Sequence, residues 1–207
     1  DFPHILLENC SGGGGRFDPG MLYYSPQIWT SDNTDPIERL TIQFGTSMCY
    51  PTSTMGAHVS ACRRAGYETK MNVALWGSFG YELDPDKLTA EEKAEITAQI
   101  ELYHKYYDVI HYGDLYRLIT PFENQFRVAW EHVSEDKNEA LLTVVQMRHP
   151  YDDFFMLRLK GLDPAKVYVD QESGKKYSGA YLMNAGLNLT YKPNGDGTSY
   201  RVHLIAE

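Results

Sequence analysis

The chain has 207 residues, room for one large domain or two small ones, and its 43% hydrophobic and 13% aromatic content suits a packed core over disorder. A formal net charge of −9 leaves no basic stripe for nucleic acid and no attraction to an anionic membrane surface, while neutral ligands stay open. No stretch reaches the apolar length of a transmembrane helix. The three cysteines, Cys10, Cys49 and Cys62, lack metal-type Cys-x-x-Cys spacing and read as reduced thiols of a cytoplasmic protein. The chain opens at Asp1 without an initiator methionine or a secretory leader, and so reads as cut.

Taken in order, "HILLENC" reads as a buried strand and "PQIWTSD" as a second. Asp35 before Pro36 is a helix start, an N-cap ahead of proline at the first helical position. Helical spacing follows at Ile37, Leu40, Thr41, Phe44 and Met48. "GAHVSA" is a third strand and "NVALW" a fourth. The clearest helix begins at Thr89, which forms a capping box with Glu92, and carries Ile96, Ile100, Tyr103, Tyr107 and Ile110 at helical spacing. Strand–helix alternation over 1–118 predicts a parallel sheet with helices packed on it, an α/β arrangement. After Leu118 the pattern changes. "QFRVAWEHV", "EALLTVVQMR", "FFMLRLKGL", "VYVD", "KYSGAYLMN" and "YRVHLIAE" are short runs between turn clusters, which predicts an all-β antiparallel sandwich over 119–207.

In parallel α/β folds, chemistry gathers at the carboxyl ends of strands. The first three strands deliver Glu8, Asn9 and Cys10, then Trp29, Ser31 and Asp32, then Ser60. Asp32, three residues past an indole, suits an acid–base role, because an aromatic wall raises a carboxyl pKa by desolvation. The same spacing also allows Asp32 to be a helix cap, a role for which Asp35 is the better candidate. Gly12–Gly15 lacks the Gly-Lys-Ser/Thr of a phosphate loop. It reads either as backbone brought close to a ligand or as a plain flexible loop. His58 reads as a core or near-site histidine, and Cys10 on its own as a small hydrophobe. No His/Asp/Glu grouping has metal-ligand spacing.

Residues 8–51, "ENCSGGGGRFDPGMLYYSPQIWTSDNTDPIERLTIQFGTSMCYP", followed in order by "MGAHVSA" and "WGSFGYELD", resemble the signature region of glycoside hydrolase family 36, the microbial α-galactosidases. The resemblance covers the whole chain. It implies the C-terminal part of a (β/α)8 TIM barrel over 1–118 and a C-terminal antiparallel β-sandwich over 119–207. It also implies retaining hydrolysis of terminal α-1,6-galactosides such as melibiose, raffinose and stachyose. Trp29-Thr30-Ser31-Asp32 matches the family's Trp-x-Ser-Asp segment, so the resemblance makes Asp32 the acid/base, with Cys10, Ser11, Gly12 and Trp29 contacting substrate. The glycines would let main chain close on a galactose ring. Neither metal nor organic cofactor is implied, and the complete enzyme is expected to be a homo-oligomer.

Two departures stand out. The family's nucleophile, an aspartate in a Lys-Trp-Asp-like motif on an earlier strand, has no counterpart here, and Glu8 does not replace it. The chain is therefore expected to be a C-terminal piece, inactive and prone to self-association by itself. After Cys62, "RRAGYETKMNVALW" is shorter than the family's loop and lacks its Pro-Asn-His-Gln type segment, which bears on pocket shape. Alternatives within the resemblance are an α-N-acetylgalactosaminidase or a galactosyl transferase. A non-catalytic carbohydrate-binding or assembly fragment is the alternative outside it.

Overall fold

The computed structural model describes residues 2–10, 12, 17–62, 64–149, 154–190 and 197–207. The chain, of mixed α/β structure, divides into two compact units, residues 1–99 and 100–207.

The first unit is built on a four-stranded sheet in the order β1-β2-β3-β4: β1 (Glu8–Asn9), β2 (Gln27–Trp29), β3 (Met55–Ser60) and β4 (Ser78–Glu82). Every pairing is parallel. Parallel neighbours need crossovers, and two of them are helices: α1 (Pro36–Ser47) joins β2 to β3, and α2 (Tyr67–Ala74) joins β3 to β4. α1 starts where Asp35 Oδ1 accepts from the amides of Ile37 (2.8 Å) and Glu38 (3.2 Å). Its buried stripe holds Arg39, Leu40, Gln43 and Phe44, while Thr41 and Met48 of the predicted stripe are exposed. Gln43 Nε2 donates to Val73 O at 2.9 Å and so ties α1 to α2. On the sheet, Ala57 and Val59 pack against Ala74 of α2, flanked by Tyr67, Phe79 and Tyr81.

α3 (Ala90–Tyr112) runs from the first unit into the second and opens on the expected box, with Thr89 N donating to Glu92 Oε2 and Glu92 N to Thr89 Oγ1. The second unit contains β5 (Asp114–Ile119), β6 (Arg127–Val133), β7 (Glu139–Gln146), β8 (Phe154–Leu157), β9 (Val167–Asp170), β10 (Lys176–Ser178), α4 (Gly179–Asn184), β11 (Leu187–Thr190) and β12 (Thr198–Ala206). Six strands form one antiparallel sheet in the order β10-β9-β12-β7-β6-β5, and β11 pairs with β8 separately. Phe155 and Leu157 of β8 and Leu187 and Leu189 of β11 alternate inward. They join Ala129, Leu142, Val144 and Leu204 of the large sheet in one core. Each such valine, leucine or phenylalanine side chain contributes about 1.5–3 kcal/mol when removed from water.

Three expectations are corrected. "NVALW" is the end of α2 and the turn after it, and the fourth strand is Ser78–Glu82. Residues 69–75 are buried on every side, and a short all-apolar surround does not tell strand from helix by periodicity. "KYSGAYLMN" is β10 followed by α4, which Ser178 caps by accepting from Tyr181 N at 3.1 Å. β5 and β11 have no counterpart in the sequence reading, and a boundary at residue 118 falls inside β5.

Candidate active site

Parallel strands align their carboxyl ends, so the residues following β1 to β4 emerge along one edge of the sheet. Register fixes which side chains share a face. Glu8 stands beside Gln27, Trp29 beside Gly56, His58 beside Gly80, and Ser60 beside Glu82. These form the face opposite the helix-covered one, and it is polar. Glu8 Oε2 accepts from Gln27 Nε2. His58 Nδ1 and Glu82 Oε1 lie 3.0 Å apart.

Trp29 is the centre of this face. Its indole is only 8% exposed, with the His58 ring 4.5 Å away on one side and the Arg39 guanidinium 4.6 Å from the ring centre. A Cβ on Gly56 would stand 3.0 Å from Trp29 Cε3 and 3.1 Å from Ile28 O, so glycine there lets the indole lie on the backbone of β3. Arg39 is 2% exposed and reaches through the sheet edge. It donates to Thr30 Oγ1 (2.7 Å), Ser31 O (3.2 Å) and Gly56 O (2.7 Å). Burial lowers its pKa to about 10, against an upward pull from Glu82, and the group stays charged at neutral pH.

The sequence-derived site residues fall as follows. Asp32 is exposed, three residues beyond Trp29 at the carboxyl end of β2. No described residue donates a hydrogen bond to its carboxylate. The chain between it and α1 is secured by others: Ser31 Oγ accepts from Asn33 N (3.1 Å), Asn33 Oδ1 from Asp35 N (3.1 Å), and Asp35 caps the helix. Of the two openings for Asp32, the cap is taken by Asp35. Cys10 is exposed and follows Asn9, the residue abreast of Ile28. Gly12 is exposed with φ +58°, in the left-handed region glycine favours, and a Cβ there would meet open space. Ser11 and the rest of the glycine run, residues 13–15, lie outside the described residues.

Sequence reasoning passed over Arg39, Gln27 and Glu82. The signal for Arg39 was a basic residue between Leu40 and Asp35 on the buried side of a helix. Around the edge, Asp35 Oδ2 meets Arg64 at 3.5 Å and Cys62 Sγ at 3.6 Å. Cys62 and Lys70 line a cavity of about 520 Å³ with Tyr67, Asp84, Lys87 and Glu92. Among the described residues no group of three or more His, Cys, Asp or Glu could hold a metal ion, and no helix is long and apolar enough to cross a membrane.

Comparison with known proteins bears on this edge and on the rest of the chain. The Melibiase family model matches residues 1–113, and the model of the glycosyl hydrolase family 36 C-terminal domain matches 127–204. The bifunctional alpha-galactosidase/sucrose kinase AgaSK of Mediterraneibacter gnavus is 51% identical over 91% of this chain and 21% of its own length. Alpha-galactosidase AgaA of Geobacillus stearothermophilus is 50% identical over 92% of this chain and 27% of its own. Among solved structures, the galactosidase domain of AgaSK superposes with a TM-score of 0.95 at 46% identity, covering all of this chain and 29% of that one. An AgaA variant from Geobacillus stearothermophilus in complex with raffinose gives 0.95 at 47%, again over 100% and 29%. The chain thus spans between about a fifth and under a third of the proteins it matches.

Proposed function

The chain belongs to the Melibiase family, glycosyl hydrolase family 36, and from that premise we propose that it forms the C-terminal part of a retaining α-galactosidase and supplies that enzyme's proton donor, Asp32. In this reading the parallel sheet is a portion of a (β/α)8 barrel, the antiparallel unit is a β-sandwich, and the two domains divide at Gly113. Support for the division is that β5 pairs with β6. Support for the barrel is that β1 has an unpaired edge among the described residues and is preceded by exposed Ile5, Leu6 and Leu7. Further strands would cover both.

The substrate class is a terminal α-linked galactose on an oligosaccharide of the raffinose and stachyose kind, with which variants of AgaA have been crystallised. Retention takes two carboxyl groups, a nucleophile and an acid/base. Asp32, protonated, gives its proton to the glycosidic oxygen as the anomeric C–O bond breaks and the nucleophile bonds to the anomeric carbon. Ionised, it then takes a proton from the water that releases galactose. Glu8 is bound to Gln27, Glu82 to His58, and Asp35 to its helix, so the nucleophile comes from a strand beyond the open edge of β1. Cys10, Ser11 and Gly12 border the sugar from the end of β1, and Trp29 forms the wall beneath the acid.

One observation carries the reading. Asp32 stands exposed at the carboxyl end of a parallel strand with its carboxylate free of the helix cap. The test uses the complete enzyme with Asp32→Asn and two substrates. Raffinose expels sucrose, whose departing alkoxide oxygen needs the acid's proton, whereas α-galactosyl fluoride expels fluoride ion without it. kcat/KM, which reports the first irreversible step, should fall roughly 100- to 10,000-fold for raffinose and far less for the fluoride. Raffinose hydrolysis within a few-fold of the wild type would remove Asp32 from the role.

A further inference from the structure

Arg39 makes contacts that packing alone does not call for. It lies on α1, 2% exposed, and among the described residues no carboxylate pairs with it. Glu82 acts on it only from beyond ion-pair distance, so most of the cost of burying this cation is uncompensated by charge, and an apolar side chain of similar volume usually fills such a place at less cost. The guanidinium's donors are spent on a small target. One nitrogen binds Thr30 Oγ1 at 2.7 Å and Ser31 O at 3.2 Å, the other binds Gly56 O at 2.7 Å, and the central carbon lies 4.6 Å from the centre of the Trp29 ring.

Ser31 O belongs to the peptide unit that joins Ser31 to Asp32. Fixing that plane, with Thr30 before it and β3 beside it, constrains the direction in which Asp32 leaves the backbone. A lysine ammonium, a point charge without a fork, would not hold three acceptors in this planar arrangement. The cation also faces the indole, whose ring centre lies 4.5 Å from that of His58, the partner of Glu82. The whole edge from Gly56 to Asp32 is therefore referenced to one side chain.

We propose that Arg39 is a positioning residue for the proton donor, holding the Ser31–Asp32 peptide so that the Asp32 carboxyl meets the glycosidic oxygen. The proposal rests on the reading of Asp32 as acid/base. Displacing a catalytic group by about an ångström can cost roughly 100-fold. Here that cost falls only on leaving groups that need a proton.

The measurement is the ratio of kcat/KM for raffinose to that for α-galactosyl fluoride, taken on the complete enzyme with Arg39→Gln and Arg39→Lys. Both substrates are assayed on one preparation, so the fraction of folded enzyme cancels. The ratio should fall roughly 10- to 100-fold in Arg39→Gln. Arg39→Lys keeps the charge but loses the fork, and should fall between that and the wild type. Equal loss on both substrates, or loss on neither, overturns the proposal. Should Arg39→Gln not fold, Thr30→Val removes one acceptor while leaving Arg39 in place, and must lower the ratio in the same direction or the proposal fails. Asp32→Asn is run alongside. If it lowers the ratio and the Arg39 variants do not, only the positioning role is lost. If it leaves the ratio unchanged, the acid/base assignment itself is wrong.

Discussion

Asp32 and Asp35 have the same side chain three residues apart, and the fold separates their roles. Asp35 accepts two amides at the start of α1 and meets Arg64 and Cys62 through its other oxygen, whereas Asp32 stands in the open. Asp35→Ala should therefore cost about 1 kcal/mol of stability in urea denaturation, the usual loss for an N-cap aspartate. Asp32→Ala should stay within about 0.5 kcal/mol, as for a surface substitution away from special contacts. An equal loss at both positions would return Asp32 to a structural role. The cap was legible in the sequence because Asp35-Pro36 is a local signal, as was the box of Thr89 and Glu92, whose partners are three residues apart. The burial of Arg39 had a local signal, but its contacts were not legible. Its acceptors lie nine residues upstream at Thr30 and 17 downstream at Gly56, and only the parallel register brings them together.

At the level of elements, β6 carries neighbouring ionisable residues with opposite demands. Burial pushes Glu131 up to about 8 from its ordinary 4.5, against the Lys160 amide that donates to Oε1, and pushes His132 down to about 3 from 6.5. Between about 4.5 and 8 the folded chain holds a proton on Glu131 that the unfolded chain has lost, so this group makes stability fall as pH rises. Between about 3 and 6.5 the unfolded chain holds a proton on His132 that the folded chain lacks, so this group makes stability rise with pH. The two slopes, each at most about 1.4 kcal/mol per pH unit, oppose one another over the shared window. Above pH 6.5 that of Glu131 stands alone. Denaturation midpoints should thus decline from pH 6.5 to 8, and Glu131→Gln should abolish the decline; a variant that declines as steeply as the wild type would contradict this. Elements were easiest to read where period and position agree. β6 and β7 reveal themselves as alternating or continuous apolar runs between turns, and β3 as a short one. Residues 72–76, the end of α2 and the turn after it, are mostly apolar and buried without a helical period, and so read as a strand. β11 was missed because its four residues follow directly on α4 and its turn, with no polar cluster to set it apart.

On the scale of the molecule, four parallel strands bring Cys10, Trp29, Asp32 and Ser60 to one edge, and a polar face runs beneath it from Glu8 to Glu82. The sequence announced the alternation that builds this edge, but not the contacts of Trp29 with both Arg39 and His58, which depend on residues from three different elements. Among the described residues the carboxylates at the strand ends other than Asp32 are engaged: Glu8 by Gln27, Glu82 by His58, and Asp84 by Lys87. In the proposed function, this chain supplies one of the two carboxylates of the reaction. The most direct test of that assignment is the configuration of the azide formed when the complete Asp32→Asn enzyme turns over α-galactosyl fluoride in the presence of sodium azide. If Asp32 is the acid/base, azide attacks the galactosyl-enzyme and ¹H NMR detects α-galactosyl azide. If β-galactosyl azide forms instead, azide has taken the place of the nucleophile, and Asp32 does not give the proton.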